Sequence, residues 1–146
     1  MRIVIGAPAN GVVLKDAIRT YVEASERVST VVDVSDAELS YPALSIRAAQ
    51  MIVDGEADRA ILVCGTGLGT AIAANKVRGI RAVTAHDLVT ARGAVENYDA
   101  QVICMGQNVI APAYALLLVD AWLDARHDPA GAYGPKIDEI RDYEAR

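Results

Sequence analysis

Arg59-Ala60-Ile61-Leu62-Val63-Cys64-Gly65-Thr66-Gly67-Leu68-Gly69-Thr70-Ala71-Ile72-Ala73-Ala74-Asn75-Lys76 is the stretch on which the fold turns. The run Arg59–Val63 predicts a buried strand, the alternating glycines a tight turn, and Thr70–Lys76 a short helix. Cys64 then sits where a strand ends and a helix begins, near backbone N–H groups and the positive end of a helix dipole. Such surroundings lower a cysteine pKa and favour the thiolate, which is the basic and reactive form. A cysteine in an apolar run is by default a small buried hydrophobe. The glycine turn reverses that default for Cys64.

Outward from this unit, strand-like and helix-like segments alternate to both ends. Strands are predicted at Ile3–Gly6, Val28–Val34, Ile80–Thr84 and Gln101–Met105, besides Arg59–Val63. Helical spacing marks Val12–Glu23, a segment opening near Pro42, Leu88–Glu96, Ile110–Ala125 and a charged Ile137–Glu144. This alternation with short joins implies an α/β fold: a three-layer α/β/α sandwich on a five-stranded parallel, Rossmann-like sheet. Ligands of such sheets bind beyond the carboxyl ends of the strands. The loops 6–11, 64–70, 85–90 and 106–108 leave those ends with polar or glycine character, and 33–41 is a fifth candidate.

A chain of 146 residues suits one domain, 1–146, with 128–146 expected as a C-terminal extension packing on a neighbouring subunit. The longest apolar run, Val109–Val119, contains Pro112 and stops at Asp120, well short of the roughly 18 residues that cross a bilayer. No signal-peptide pattern opens the chain, so a cytoplasmic location and no membrane association are expected. Cys64 and Cys104 fit neither a disulfide framework nor a zinc spacing, and no metal is expected. A net charge of −5, from 14 basic and 19 acidic residues with no basic stripe, argues against nucleic acid as a partner.

A thiolate beside a row of N–H donors can attack an electrophile, or remove a proton next to a carbonyl while the donors hold the enolate oxygen. The first task needs a histidine base, for which only His86 and His127 exist. The turn is not a dinucleotide fingerprint, because Thr70 stands where the third glycine of G-x-G-x-x-G belongs. His86-Asp87 reads as the start of a helix with Asp87 as its cap, and Cys104 as core.

Ile61-Leu62-Val63-Cys64-Gly65-Thr66-Gly67-Leu68-Gly69, Ala73-Ala74-Asn75-Lys76-Val77, Ala100–Gly106 and Val119-Asp120-Ala121-Trp122-Leu123 together resemble the type B ribose-5-phosphate isomerase and galactose-6-phosphate isomerase family. The resemblance covers nearly the whole chain. It implies aldose–ketose isomerisation of a small phosphorylated sugar without metal or organic cofactor. It also implies a homodimer or homotetramer with active sites shared between subunits. By the same resemblance Cys64 is the base that shuttles a proton through a cis-enediol, and Thr66 handles protons on the oxygens. The backbone of Gly65, Gly67, Leu68, Gly69 and Thr70, with Asn75, would hold the enediolate. Tyr41 and Asn10 would line the site, with Gly11 and Lys136 toward the phosphate. Arg126 and Arg141 are further cations in reach of that role.

The chain departs from the family pattern at several positions. Pro8-Ala9 replaces an Asp-His pair, Asn97 replaces a histidine that assists ring opening, and Ala132 and Lys136 replace two arginines. A tetrose 4-phosphate has its O4 esterified and cannot close a furanose, so its isomerase needs no ring-opening group. The pattern is therefore similar to the erythritol-pathway branch, and erythrose or erythrulose 4-phosphate is favoured over ribose 5-phosphate. The alternative is a weakly catalytic or non-catalytic sugar-phosphate-binding relative that acts with a partner chain.

Overall fold

The aliphatic runs form five strands: β1 (Arg2–Gly6), β2 (Thr30–Asp33), β3 (Arg59–Cys64), β4 (Ala82–Thr84) and β5 (Val102–Gly106). Six helices connect and follow them: α1 (Val12–Glu23), α2 (Tyr41–Val53), α3 (Leu68–Ala74), α4 (Leu88–Glu96), α5 (Pro112–Asp124) and α6 (Gly134–Glu144). The computed structural model describes residues 1–146. All pairings are parallel, in the order β2-β1-β3-β5-β4. The sandwich and the Rossmann-like sheet are as expected from the alternation.

Each face of the sheet carries its own core. On one side Ile3, Ile5, Ile61, Val63, Ile103 and Met105 pack with Leu14 and Ile18 of α1 and with Leu118 and Trp122 of α5. On the other, Val4, Leu62, Val102 and Cys104 meet Leu44 and Ala48 of α2 and Ala71 and Ala74 of α3. The strands are buried on both faces, which is why they read as continuous apolar runs rather than as alternation. Each fully buried Ile or Leu contributes about 1.5–3 kcal/mol of transfer free energy.

Local chemistry moves several ends from their expected places. Gly67, at φ 80°, caps α3, so that helix starts at Leu68 and Asn75 closes it, earlier than the expected 70–76. The second strand is shorter than Val28–Val34, because Val28 turns back to donate to the Ser25 carbonyl. Gly79, at φ 85°, turns the chain ahead of β4, so Ile80 and Arg81 lie outside that strand. Pro135 lies in the first turn of α6, which begins at Gly134 rather than 137. The extension 128–146 docks on its own chain: Ile137 is buried, Glu144 accepts from the Gly79 amide, and Arg141 reaches Asp99.

Strand order reverses between β1, whose next strand lies on one side, and β3 on the other. A crevice opens at the carboxyl ends at such a reversal. A partly buried network braces its rim. Lys15 of α1, only 4 % exposed, pairs with Asp33 at the end of β2 at 2.5 Å. Asp33 accepts from the Ser35 amide, and the Ser35 hydroxyl accepts from the Ala7 amide. The first loop is thereby tied to the β2 end across the crevice.

Candidate active site

Cys64 is the last residue of β3, beside Gly106 in the β3–β5 register, and lies at the base of the crevice. Its Sγ accepts from the Gly67 amide at 3.1 Å, and the Thr70 hydroxyl stands 3.8 Å away. Burial pushes the Cys64 thiol up, but the Thr66 and Gly67 amides and the Thr70 hydroxyl and amide outweigh it and hold it below its ordinary value. Thr70 is fully buried and donates to the Gly67 carbonyl at 3.1 Å. That carbonyl also accepts from Thr84 at 2.9 Å, so it stays satisfied when the Thr70 proton turns to a thiolate. Cys104, one strand over and wholly buried, has the opposite fate: burial pushes its thiol up to about 12. Of the two cysteines, only Cys64 is held ready to ionise.

Glycines let the backbones crowd around this thiol. A Cβ at Gly67 would sit 2.9 Å from the Met105 carbonyl carbon, and one at Gly106 2.6 Å from Thr66 Cα. Gly69 lies under the Tyr41 ring, where a Cβ would fall 2.7 Å from Cε2. The resulting cavity, about 720 Å³, is lined by Pro8, Ala9 and Asn10 of the first loop and by Cys64, Gly65, Thr66 and Gly69. Ala37, Leu39, Ser40 and Tyr41 close a second side, and Asn108 a third. The crevice thus gathers Cys64, Gly65, Thr66, Gly69, Tyr41 and Asn10. Thr66 is exposed there, and its hydroxyl accepts from the Leu68 amide at 3.4 Å.

Other expected residues lie elsewhere. The Asn75 side chain is bound to the backbone of Ala82, donating at 2.7 Å and accepting at 2.8 Å, and does not line the Cys64 crevice. The Gly11 amide donates to the Pro8 carbonyl inside a tight turn, and Gly11 itself is pressed against the Val63 carbonyl. Asn97 closes α4 and lines a separate cavity of about 340 Å³ with Thr84, Thr90 and Tyr98. Lys136 stacks over the Tyr133 ring at 4.6 Å, and Leu68 points outward. Arg126 and Arg141 belong to another cavity, at the opposite end of the sheet. Within one chain, therefore, Asn97 and Lys136 stand outside the Cys64 crevice.

Two contributors had no clear signal in the sequence. Gln107 accepts from the Leu14 amide and so caps the first turn of α1. His86 accepts from the Gly106 amide through Nε2 at 2.8 Å, while Asp87 caps α4 as expected. Burial lowers the His86 pKa, in keeping with a neutral ring whose Nε2 lone pair braces the strand end beside Cys64. His86→Leu is expected to cost about 1–3 kcal/mol of stability, the desolvation penalty of an orphaned amide, read by urea unfolding. Its rate should fall less than about a hundredfold; a loss of four orders of magnitude would make His86 a proton-transfer group instead. No three side chains among His, Cys, Asp and Glu gather into a metal-binding cluster.

The model of the family described as Ribose/Galactose Isomerase matches residues 3–140. The chain belongs to that family. As a member it is an aldose–ketose isomerase acting on sugar phosphates. It is 47% identical over 148 residues to a D-erythrulose-4-phosphate isomerase 2 of Mycolicibacterium smegmatis, covering 99% of this chain and 97% of that protein. A D-erythrulose-4-phosphate isomerase of Pectobacterium atrosepticum is 40% identical, with 99% and 95% covered. Among solved structures, Clostridium thermocellum ribose-5-phosphate isomerase B superposes with a TM-score of 0.93 at 35% identity, over 99% of this chain and 98% of that one. No helix is long and apolar enough to cross a membrane.

Proposed function

We propose that the chain interconverts erythrose 4-phosphate and erythrulose 4-phosphate through a cis-enediol, with Cys64 as the base and no cofactor. The observation that carries this reading is a thiol held for ionisation by backbone amides at the floor of the crevice. The thiolate takes the proton from the carbon beside the carbonyl and returns it to the neighbouring carbon. Meanwhile the Gly65 and Gly69 backbone faces the developing oxyanion, and the exposed Thr66 hydroxyl passes the proton between the two oxygens. Support for the tetrose comes from relatives named for erythrulose 4-phosphate and from Asn97, whose amide cannot exchange a proton.

Asn97 and Lys136 serve the substrate from a neighbouring copy in this reading, since neither reaches the crevice of its own chain. Leu68 and Ile72, exposed 58 % and 62 % on one side of α3, supply apolar surface for a homodimer or homotetramer. Sedimentation at micromolar concentration would give a mass at least twice that of the chain.

The substrate is tested by proton exchange in deuterium oxide, with product NMR and initial rates. Erythrulose 4-phosphate should take up deuterium at C1 or C2 and exceed ribose 5-phosphate in kcat/KM by at least about a hundredfold. The reverse preference would remove the tetrose assignment, and no exchange with any sugar phosphate would favour a binding relative.

The pH profile follows from the thiol. The base must be deprotonated to act, so kcat/KM should rise with pH through the Cys64 titration and be lost as pH falls below it. Its midpoint should lie below that of an ordinary thiol, and alkylation by iodoacetamide should follow the same curve.

A further inference from the structure

At the amino end of β3, five residues before Cys64, Arg59 opens onto a cavity of about 440 Å³ lined mainly by charged side chains. Five residue steps along an extended strand place it about 16 Å from the catalytic end, at the opposite end of the sheet. Arg126, His127 and Arg141 face the same space, with Asp99 and Asp138.

The two guanidiniums of Arg59 and Arg126 are pinned together. Arg59 donates to the Ala125 carbonyl at 2.9 Å and Arg126 to the same oxygen at 2.8 Å. The donating nitrogens are thus no further apart than those two bonds laid end to end. Arg59 is held again by the Trp122 carbonyl and lies over the Trp122 ring at 5.0 Å. Arg126 is held again by the Leu123 carbonyl at 2.6 Å. These anchors are the last carbonyls of α5, whose partial negative charge offsets only a fraction of two full positive charges.

No carboxylate pairs with either group. Asp99 is engaged by Arg81 at 2.7 Å and Arg141 at 3.4 Å, and Asp138 by Arg141 at 3.1 Å. Four guanidiniums therefore meet two carboxylates, in a chain whose net charge is −5. Burial, and then the Arg126 charge, lower the Arg59 pKa to about 10, outweighing the more distant Asp99 and Asp58 charges, neither of which forms an ion pair with it. Each guanidinium has five N–H donors, of which Arg59 and Arg126 each use two. The His127 ring adds a wall, fixed by its Nδ1–H on the Glu96 carbonyl at 2.9 Å.

We propose that the cavity between Arg59, Arg126, His127 and Arg141 is a second ligand site, separate from the Cys64 crevice, that takes a phosphate group. Free donors around two adjacent positive charges match a tetrahedral dianion. The ligand would join the end of α5 to α6, which Arg141 carries. Inorganic phosphate and a phosphate monoester present the same chemistry to it.

The test is isothermal titration of inorganic phosphate, at constant ionic strength, into the full-length protein alkylated at Cys64 to obstruct the crevice. One saturable phosphate per chain is expected, weakened at least about tenfold by Arg126→Gln. Arg126 is exposed, and an unfolding curve confirms that the variant folds. Arg141→Gln should weaken phosphate as well, and a phosphate monoester should compete for the site. Absence of saturable binding to the alkylated protein would overturn the proposal, as would binding indifferent to both substitutions. A third result would also overturn it: Arg126→Gln raising the KM of a phosphorylated sugar with no phosphate bound by alkylated protein. The guanidiniums would then serve the crevice of a neighbouring copy.

Discussion

Cys64→Ala is expected to lower kcat by about four orders of magnitude, the upper range for removing a positioned general base. The fold should survive, because the side chain is small and alanine fits its place. A thermal unfolding midpoint within a few degrees of the parent would show this. Serine keeps the shape but not the acidity, so Cys64→Ser should be nearly as slow as alanine. Cys104→Ala is the control: it removes a thiol of the core that burial keeps protonated, and the rate should hold. Residual activity within tenfold of the parent in Cys64→Ala would move the base to another group. None of the crevice side chains is a histidine or a carboxylate, so water would then be its carrier.

The second large effect belongs to Gly67→Ala. Position 67 has φ 80°, which costs an L-residue about 1–2 kcal/mol. Its Cβ would also lie 2.9 to 3.1 Å from the Met105 backbone, in a buried strand that cannot yield cheaply. The two together should destabilise the protein by about 3 kcal/mol or more, measured by urea unfolding. The displaced amide is the one that donates to Cys64, so the surviving folded enzyme should show a thiol returned toward ordinary acidity. Iodoacetamide rates against pH would report it. A variant with parental stability and thiol titration would mean that the turn adjusts without consequence.

The order of elements and the place of the site were legible because each strand is a short apolar run and the catalytic-end loops break in glycine, proline or polar residues. Val12–Glu23 and Leu88–Glu96 came out to the residue, since a glycine turn and an Asp87 cap mark their starts. The start of α3 was not legible, because whether Gly67 is the cap or part of the loop depends on its φ. Asn75 was placed among the substrate contacts by resemblance, whereas its amide matches the donor and acceptor of Ala82. His86 and Gln107 act on backbone groups 20 and 93 residues away, and no local pattern encodes such partners. The pairing of Arg59 with Arg126 is likewise tertiary, made by one carbonyl at the end of α5.

The Asn75 clasp also bears on how the chain behaves in a crowd. β4 is the last strand of the sheet and is only three residues long. Its outer rim would otherwise offer free N–H and C=O groups as a template for a strand from another molecule. By donating to and accepting from Ala82, a side-chain amide imitates a neighbouring strand for one residue and ends the ladder there. Its clasp thereby guards the open edge of the sheet against fibrous growth.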